Sequence, residues 1–131
     1  MAYIKYKELT KYFNFNEELD KEDLPKYVTD YLAEDEVIYA AYKTRRDKAI
    51  FTNDRMILFD VSYLFGLTKK IHMIPYKSIS TSAILFSIRS AAILMSLDSG
   101  YQMRLNFVGL KPETKTRLRL LYSHIMNENK K

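Results

Sequence analysis

The sequence predicts a mainly β fold with flanking helices: a seven-stranded, bent antiparallel shell closed by a C-terminal α-helix. Three observations lead there. The hydrophobic period switches to two at Glu36, short alternating segments with tight joins follow as far as Val108, and an apolar stripe at helical spacing appears after Gly109.

In the first 35 residues, Leu24, Val28, Tyr31 and Leu32 recur at three- and four-residue spacing with Tyr27 beside them, which predicts a helix over residues 24–33. Pro25 suits its first turn, where a missing N–H has no partner to lose, and Asp23 is placed to cap it. Residues 3–15 are aromatic-rich without a cap or a clean period, and read as a weak helix or an ordered arm. On this reading residues 1–35 form an acidic helical extension. Residues 36–131 form the domain, with strands over 36–108 and a helix over 112–127.

Strands are expected at 37–42, 48–52, 55–61, within 69–79, beyond the bend that follows, at 92–97 and at 101–108. Asn53-Asp54 and Ser99-Gly100 supply hairpin turns, because these residues tolerate the backbone angles that short turns demand. Pro75 with residues 78–80 marks the bend between the fourth and fifth strands. Residues 37–42, 55–61 and 92–97 are apolar on both faces, so something must cover both. One face belongs to the core; the other needs the N-terminal helix or a second subunit, since large apolar patches are seldom left bare. The last strand differs: Met103, Leu105 and Phe107 alternate with Gln102, Arg104 and Asn106, giving it one wet face. Pro112 starts the final helix, with Leu118, Leu121, Tyr122 and Ile125 at i, i+3, i+4 and i+7.

Length and composition set bounds on function. A chain of 131 residues, 47% hydrophobic and 28% charged, matches one ordinary globular unit. It has no cysteine, hence no disulfide or thiolate metal site. Its start lacks an apolar signal region, and its apolar runs fall short of the ~20 residues that span a bilayer. These features predict a cytoplasmic protein. The net charge of +5 is unevenly spread. Residues 16–36 carry nine acidic side chains against two lysines, a net of −7; residues 37–110 carry ten basic against four acidic, +6; residues 111–131 carry six against two, +4. Such polarity can steer an anionic partner, or let the acidic arm dock on the basic body of its own or a neighbouring subunit.

The wording of the middle of the chain is more specific. Arg46-Asp47, Phe51-Thr52-Asn53 with Arg55, and Ile74-Pro75-Tyr76-Lys77-Ser78-Ile79 resemble the bacterial pleckstrin-homology (PH)-like domains, over about residues 17–126. The resemblance implies a PH-like barrel whose open corner is plugged by the terminal helix, and a non-enzymatic module that tends to self-assemble. This chain has no tryptophan, which the terminal helix of the eukaryotic domains normally carries.

Several features are candidates for function. If the strands alternate, the loops 44–47, 62–68 and 87–90 share one end of the barrel and gather Lys43, Arg45, Arg46, Lys48, Arg89, Lys69 and Lys70 there. Several charge-assisted bonds from such a cluster would grip a dense anion like a lipid headgroup. Alternatively these charges are solvated or structural, with Arg55 pairing Asp54 or Asp60. The loop at 62–67 is apolar for a connection. Tyr63, Leu64 and Phe65 followed by Lys69-Lys70 resemble a membrane-dipping loop, or else fold back into the core or a subunit contact.

Catalysis finds little footing. His72 and His124 are distant in sequence with no ligand spacing around them, the three glycines are not clustered, and Ser78, Ser80 and Ser82 lack a nucleophile elbow. No cofactor and no metal are expected. Nucleic acid is disfavoured because most tyrosines (Tyr27, Tyr31, Tyr39, Tyr42, Tyr101) fall on expected buried stripes, although Lys115, Arg117 and Arg119 could make weak contact. The leading expectation is a non-catalytic binding and assembly module that self-associates and recruits a protein partner. Its interface candidates are Ile38, Tyr42, Ile57, Phe59 and Leu94. The rival is a peripheral module on an anionic membrane surface.

Overall fold

The computed structural model describes residues 10–44, 47–61 and 69–130. Among the described residues, nine strands form two sheets. The first has the order β2-β3-β4-β5-β6, built from β2 (Glu17–Leu19), β3 (Ile38–Lys43), β4 (Lys48–Thr52), β5 (Arg55–Val61) and β6 (Lys69–Pro75). The second has the order β1-β9-β8-β7, built from β1 (Thr10–Phe15), β9 (Gln102–Val108), β8 (Ser90–Leu97) and β7 (Ile79–Phe86). A short helix α1 (Lys26–Thr29) lies between β2 and β3, and α2 (Pro112–Asn129) closes the chain. The seven expected strands are β3 to β9, all antiparallel to their neighbours in that series.

The arm departs from expectation. Residues 10–15 form a strand rather than a helix, paired in parallel with β9 from Thr10 opposite Gln102 to Phe15 opposite Phe107. Glu17–Leu19 adds a further short strand on β3. The division expected at residue 36 therefore does not coincide with a division of the sheets. Phe13 and Phe15, without helical spacing, behave as strand residues two apart and enter the core together.

The helix expected over 24–33 is only four residues long. Pro25 stands at its N-cap position and no side chain caps it; the aspartate that does cap is Asp20, which accepts from Glu22 N at 3.0 Å to hold a 3-10 turn over Lys21–Asp23. Beyond Asp30 the backbone is diverted. The Tyr31 carbonyl accepts from Arg55 Nη2 at 2.9 Å, and Ala33 N donates to Glu36 Oε1 at 2.9 Å, so groups that would extend the helix serve a side-chain pair instead.

Two apolar layers explain why the strands are apolar on both faces. Inside the shell, Ala49 and Phe51 of β4 and Met56 and Leu58 of β5 pack with Ile93, Met95, Leu105 and Phe107 and with Leu118, Leu121 and Ile125 of α2. On the outer side of the first sheet, Ala41, Ile50, Ile57 and Phe59 meet Val28, with Leu19, Leu24, Tyr27 and Leu32 around them. Tyr27 and Tyr31 each approach the Phe59 ring edge-on at 5.8 Å. The arm thus covers the second face of β3 to β5 within the same chain.

α2 begins at Pro112 as expected and ends at Asn129, two residues beyond the expected end. Asn129 Nδ2 donates to the Tyr76 and Ile79 carbonyls, and Lys115 Nζ donates to the Ser87 carbonyl and, at 2.7 Å, to that of Ile88. The helix is therefore pinned at both ends across the shell. Gly100 (φ 92°) and Gly109 (φ 66°) take left-handed angles, one in the β8–β9 turn and one where β9 hands over to α2.

Candidate functional site

Register places Lys43 opposite Lys48, Asp60 opposite Lys70 and Val61 opposite Lys69, so these residues share one end of the first sheet. The charges are not all presented outward. Lys43 Nζ lies 4.0 Å from Glu17 Oε2, while Lys48 Nζ donates to the Tyr27 hydroxyl at 2.7 Å and sits 5.3 Å over that ring. Lys70 is exposed. Arg89 stands on the β7–β8 turn of the other sheet, where its carbonyl accepts from Leu110 N. Arg45 and Arg46, the Lys69 side chain and the loop with Tyr63, Leu64 and Phe65 lie outside the described residues.

Arg55 pairs with neither Asp54 nor Asp60. Its Nε and Nη2 each lie 2.9 Å from a carboxylate oxygen of Glu36, a bidentate pair whose Glu36 side chain is only 3% exposed. The Thr52 hydroxyl donates to Glu36 Oε2 at 2.7 Å and accepts from Asp54 N and Arg55 N at 3.1 Å each. Arg55 first, then Ala33 N and Thr52, hold the Glu36 carboxyl down from 4.5 to about 2 despite its burial. Asn53 exchanges two bonds with Val37, and the Tyr76 hydroxyl donates to the Thr52 carbonyl at 2.7 Å. Of the residues that carry the family resemblance, Arg55 thus ties the β4–β5 turn to the arm through Glu36 and the Tyr31 carbonyl, Asn53 ties it to the start of β3, Tyr76 ties it to the bend after β6, and Phe51 packs in the inner core. In the sequence Glu36 stands at the end of the acidic run Glu34-Asp35-Glu36, and nothing local distinguishes it from its neighbours as the partner of Arg55.

The interface candidates divide. Ile57 and Phe59 do face outward from the shell, but the arm buries them completely. Tyr42 was expected to share a face with Ile38. A bulge between Ile38 and Ala40 breaks the period of two, so Ile38 packs against the outer layer while Tyr42 turns into the inner core. Only Leu94 stays on a side that no element covers among the described residues: half-buried on β8, it lies opposite Ala83 of β7 and Arg104 of β9. Leu85 follows on that face and is 50% exposed, and Ile88 on the β7–β8 turn is 90% exposed. Towards β9 and β1 the same face turns polar, where Arg104 Nε donates to Asn106 Oδ1 and Asn106 Nδ2 to Asn14 Oδ1.

The cations of α2 are also engaged within the chain. Arg117 grips Glu18 with bonds of 2.8 and 2.6 Å, and Arg119 sits 5.4 Å over the Phe86 ring, next to the Ser87 and Ile88 carbonyls that Lys115 holds. Tyr31 and Tyr39 are exposed rather than buried as expected, and Tyr39 lies edge-on to His124 at 4.0 Å. His72 meets Phe13 edge-on inside the shell at 5.8 Å. Among the described residues no group of three His, Cys, Asp or Glu is placed to hold a metal ion, and no helix is long and apolar enough to cross a membrane.

Where α2 begins, a cavity of about 290 Å³ opens between residues 15–18, the end of β9 and the first turns of the helix. Tyr42 forms part of its wall. This residue is 2% exposed, and its hydroxyl has no hydrogen-bond partner among the described residues. Burial pushes its pKa up, so the group stays protonated. An unmade hydrogen bond at a buried hydroxyl costs ~1–3 kcal/mol of desolvation, whereas removing the group leaves the ring's packing on Phe51 and Phe107 intact. Tyr42→Phe is accordingly expected to unfold at an unchanged or higher temperature, raised by up to about 5 °C, in a thermal melt without ligand.

Comparison with known proteins places this geometry. A 60-residue stretch, 46% of this chain, is 42% identical to the uncharacterized protein YjqA of Bacillus subtilis (strain 168), and it spans 45% of that protein's length. A pleckstrin-homology protein from Shewanella loihica PV-4 superposes with a TM-score of 0.69 at 25% identity, over 88% of this chain and 98% of its own. PH-domain structures from Shewanella amazonensis SB2B (TM-score 0.58, 24% identity, 83% and 90% covered) and Exiguobacterium sibiricum 255-15 (0.63, 18%, 88% and 63%) share the fold. The bacterial PH domain profile matches residues 9–120, starting in the arm at the threshold of β1 and running into α2, and on that match the chain belongs to the bacterial PH domain family.

Proposed function

We propose that this chain is a non-catalytic binding and assembly module, self-associating through the outer face of its second sheet and, once assembled, recruiting a further protein. PH-like domains generally mediate binding or interaction. One observation carries the finer reading. The apolar outer face of the first sheet is covered by Val28 and its neighbours over Ile57 and Phe59, while on the second sheet the apolar strip of Ala83, Leu85 and Leu94 has no element over it among the described residues. Exposed apolar strips with a polar border mark association surfaces.

A second copy is the occupant we favour, because the chain carries both halves of a complementary charge pattern. The acidic arm retains exposed Asp20, Glu22, Asp23 and Glu34, and α2 with its flanks exposes Lys111, Arg119 and Lys130. A stable interface buries about 1,600 Å² in total, which requires the strip and its polar border together. The membrane reading has less support, since Lys48 already donates to the Tyr27 hydroxyl and Lys43 has the Glu17 carboxylate 4.0 Å away.

Light scattering on the eluting protein tests the proposal. An oligomer is expected at micromolar concentration. Leu94→Asp should give a monomer, its affinity for itself lowered at least tenfold, with little change in melting temperature because Leu94 is only half-buried. A wild-type chain of monomer mass, or a Leu94→Asp variant that assembles normally, contradicts it.

A further inference from the structure

The strip on the second sheet needs a surface to meet, and the two sides of α2 carry the two halves of such a contact. One half is the tip of the β7–β8 hairpin, where Ile88 is 90% exposed, more than any other large apolar side chain among the described residues. The tip is tied down. Lys115 Nζ donates to the Ser87 and Ile88 carbonyls, Ser87 N to the Ser90 carbonyl at 2.9 Å, and Leu110 N to the Arg89 carbonyl at 2.9 Å. An apolar side chain presented on a pre-ordered turn loses little freedom when it docks. The tip is also continuous with the strip, since Leu85 leads from it to Ala83 and Leu94.

The other half is a groove of about 300 Å³ between β3 and α2, lined by Tyr39, Ala40, Leu120, Leu121 and His124 and bordered by the Glu18–Arg117 pair. It opens because β2 pairs only with residues 41–43 of β3. At Asp20 the chain turns away, and residues 38–40 have no strand on that side among the described residues. Tyr39 and Leu120 are left 53% and 65% exposed. Asp20 and Lys21 line the adjoining space, and with exposed Glu22 and Asp23 they give this rim three acidic side chains to one basic. The hairpin tip is flanked by the opposite sign: Arg89 follows Ile88, Lys111 follows the Leu110 that bonds Arg89, and Arg119 lies over Phe86, all three exposed.

At about 100° per residue, Lys115 and Arg119, which touch the hairpin, lie on the side of α2 opposite Arg117, Leu120 and His124. A copy therefore cannot place its own tip in its own groove. Two strips facing each other suit no better, because Arg104 lies opposite Leu94 on each and like charges would meet. We propose that the chains associate head to tail, the Ile88 tip of one copy seated in the β3–α2 groove of the next, with the turn at Asp20–Asp23 meeting Arg89 and Arg119. The contact rests on the assembly reading and gives it a direction: its two halves differ, so the interface is not self-complementary.

Light scattering on two variants and their mixture tests this. Ile88→Asp spoils the tip and Leu120→Asp the groove; both side chains are mostly exposed, so each variant should keep the wild-type melting midpoint while its self-association falls at least tenfold. Mixed in equal amounts at high micromolar concentration, the two should form a complex of two chains and nothing larger, because one intact tip and one intact groove remain. Ile88→Asp mixed with Leu94→Asp, both damaged on the same side of the contact, should stay monomeric. The proposal is overturned if either variant assembles like the wild type, if Ile88→Asp and Leu120→Asp fail to complement, or if the same-side pair complements instead. An oligomer that Leu94→Asp dissolves and Ile88→Asp does not would overturn this contact and leave the assembly reading standing; a monomeric wild type overturns both.

Discussion

Arg55→Ala is expected to cost the fold ~3 kcal/mol, the scale for removing one partner of a buried ion pair, and to lower the melting midpoint by roughly 10 °C. The loss goes beyond one contact. Glu36 would keep its charge with its side chain 3% exposed, and the Tyr31 carbonyl would lose the donor that turns the arm back towards β3. Glu36→Gln should cost less, because the neutral amide needs no countercharge and can still accept from Ala33 N or Thr52. Acid acts on the same pair. The Glu36 carboxyl sits at about 2 in the folded chain against 4.5 ordinarily, so its contribution is complete above the ordinary value and disappears as pH falls from about 5 towards 2. At ~1.4 kcal/mol per factor of ten, that is again about 3 kcal/mol. Urea midpoints measured across this window should fall steeply for the wild type and much less for Arg55→Ala; parallel slopes would show that the pair does not hold the carboxyl down.

Phe59→Ala should be the most damaging single truncation, at ~4 kcal/mol, from lost burial plus the cavity left behind. The ring is fully buried between β5 and the arm, with Tyr27 and Tyr31 both edge-on to it at 5.8 Å. Phe59→Leu, which keeps most of the volume, should cost about 1 kcal/mol. Hydrogen exchange locates the damage: the alanine variant should lose protection first in residues 24–32, while β8 and β9 keep theirs. If Phe59 instead faced a second subunit, truncation would lower assembly at little expense to monomer stability.

What could be read from the sequence follows from how locally each feature is encoded. A period of two, turn residues at Asn53-Asp54 and Ser99-Gly100, and an i, i+3, i+4, i+7 stripe are local signals, and β3 to β9 and α2 stand where they point. The doubly apolar β5 even signalled that a second layer exists. Which element supplies it is a long-range fact: Val28 reaches Ile57 and Phe59 across some thirty residues, and no periodicity reports that. β1 was missed because a parallel partner 92 residues away, Thr10 on Gln102, leaves no hairpin signal. Tyr42 was misplaced by a single bulged residue, since one extra residue reverses every later side chain on a strand. Of the site residues, the lysines could be located but not their partners. Glu17 and Tyr27, which hold Lys43 and Lys48, belong to the segment first taken for a separate extension.

The central claim is that residues 10–35 complete the domain, with β1 on β9, β2 on β3 and Val28 over the first sheet. Thermal unfolding of residues 36–131 alone, set beside the full chain, tests it most directly. Without the arm, Phe13 and Phe15 leave the inner core and Ala41, Ile50, Ile57 and Phe59 are stripped. The account predicts a fragment with no cooperative transition and a strong tendency to aggregate; a fragment that stays soluble and melts cooperatively at the full chain's midpoint would contradict it.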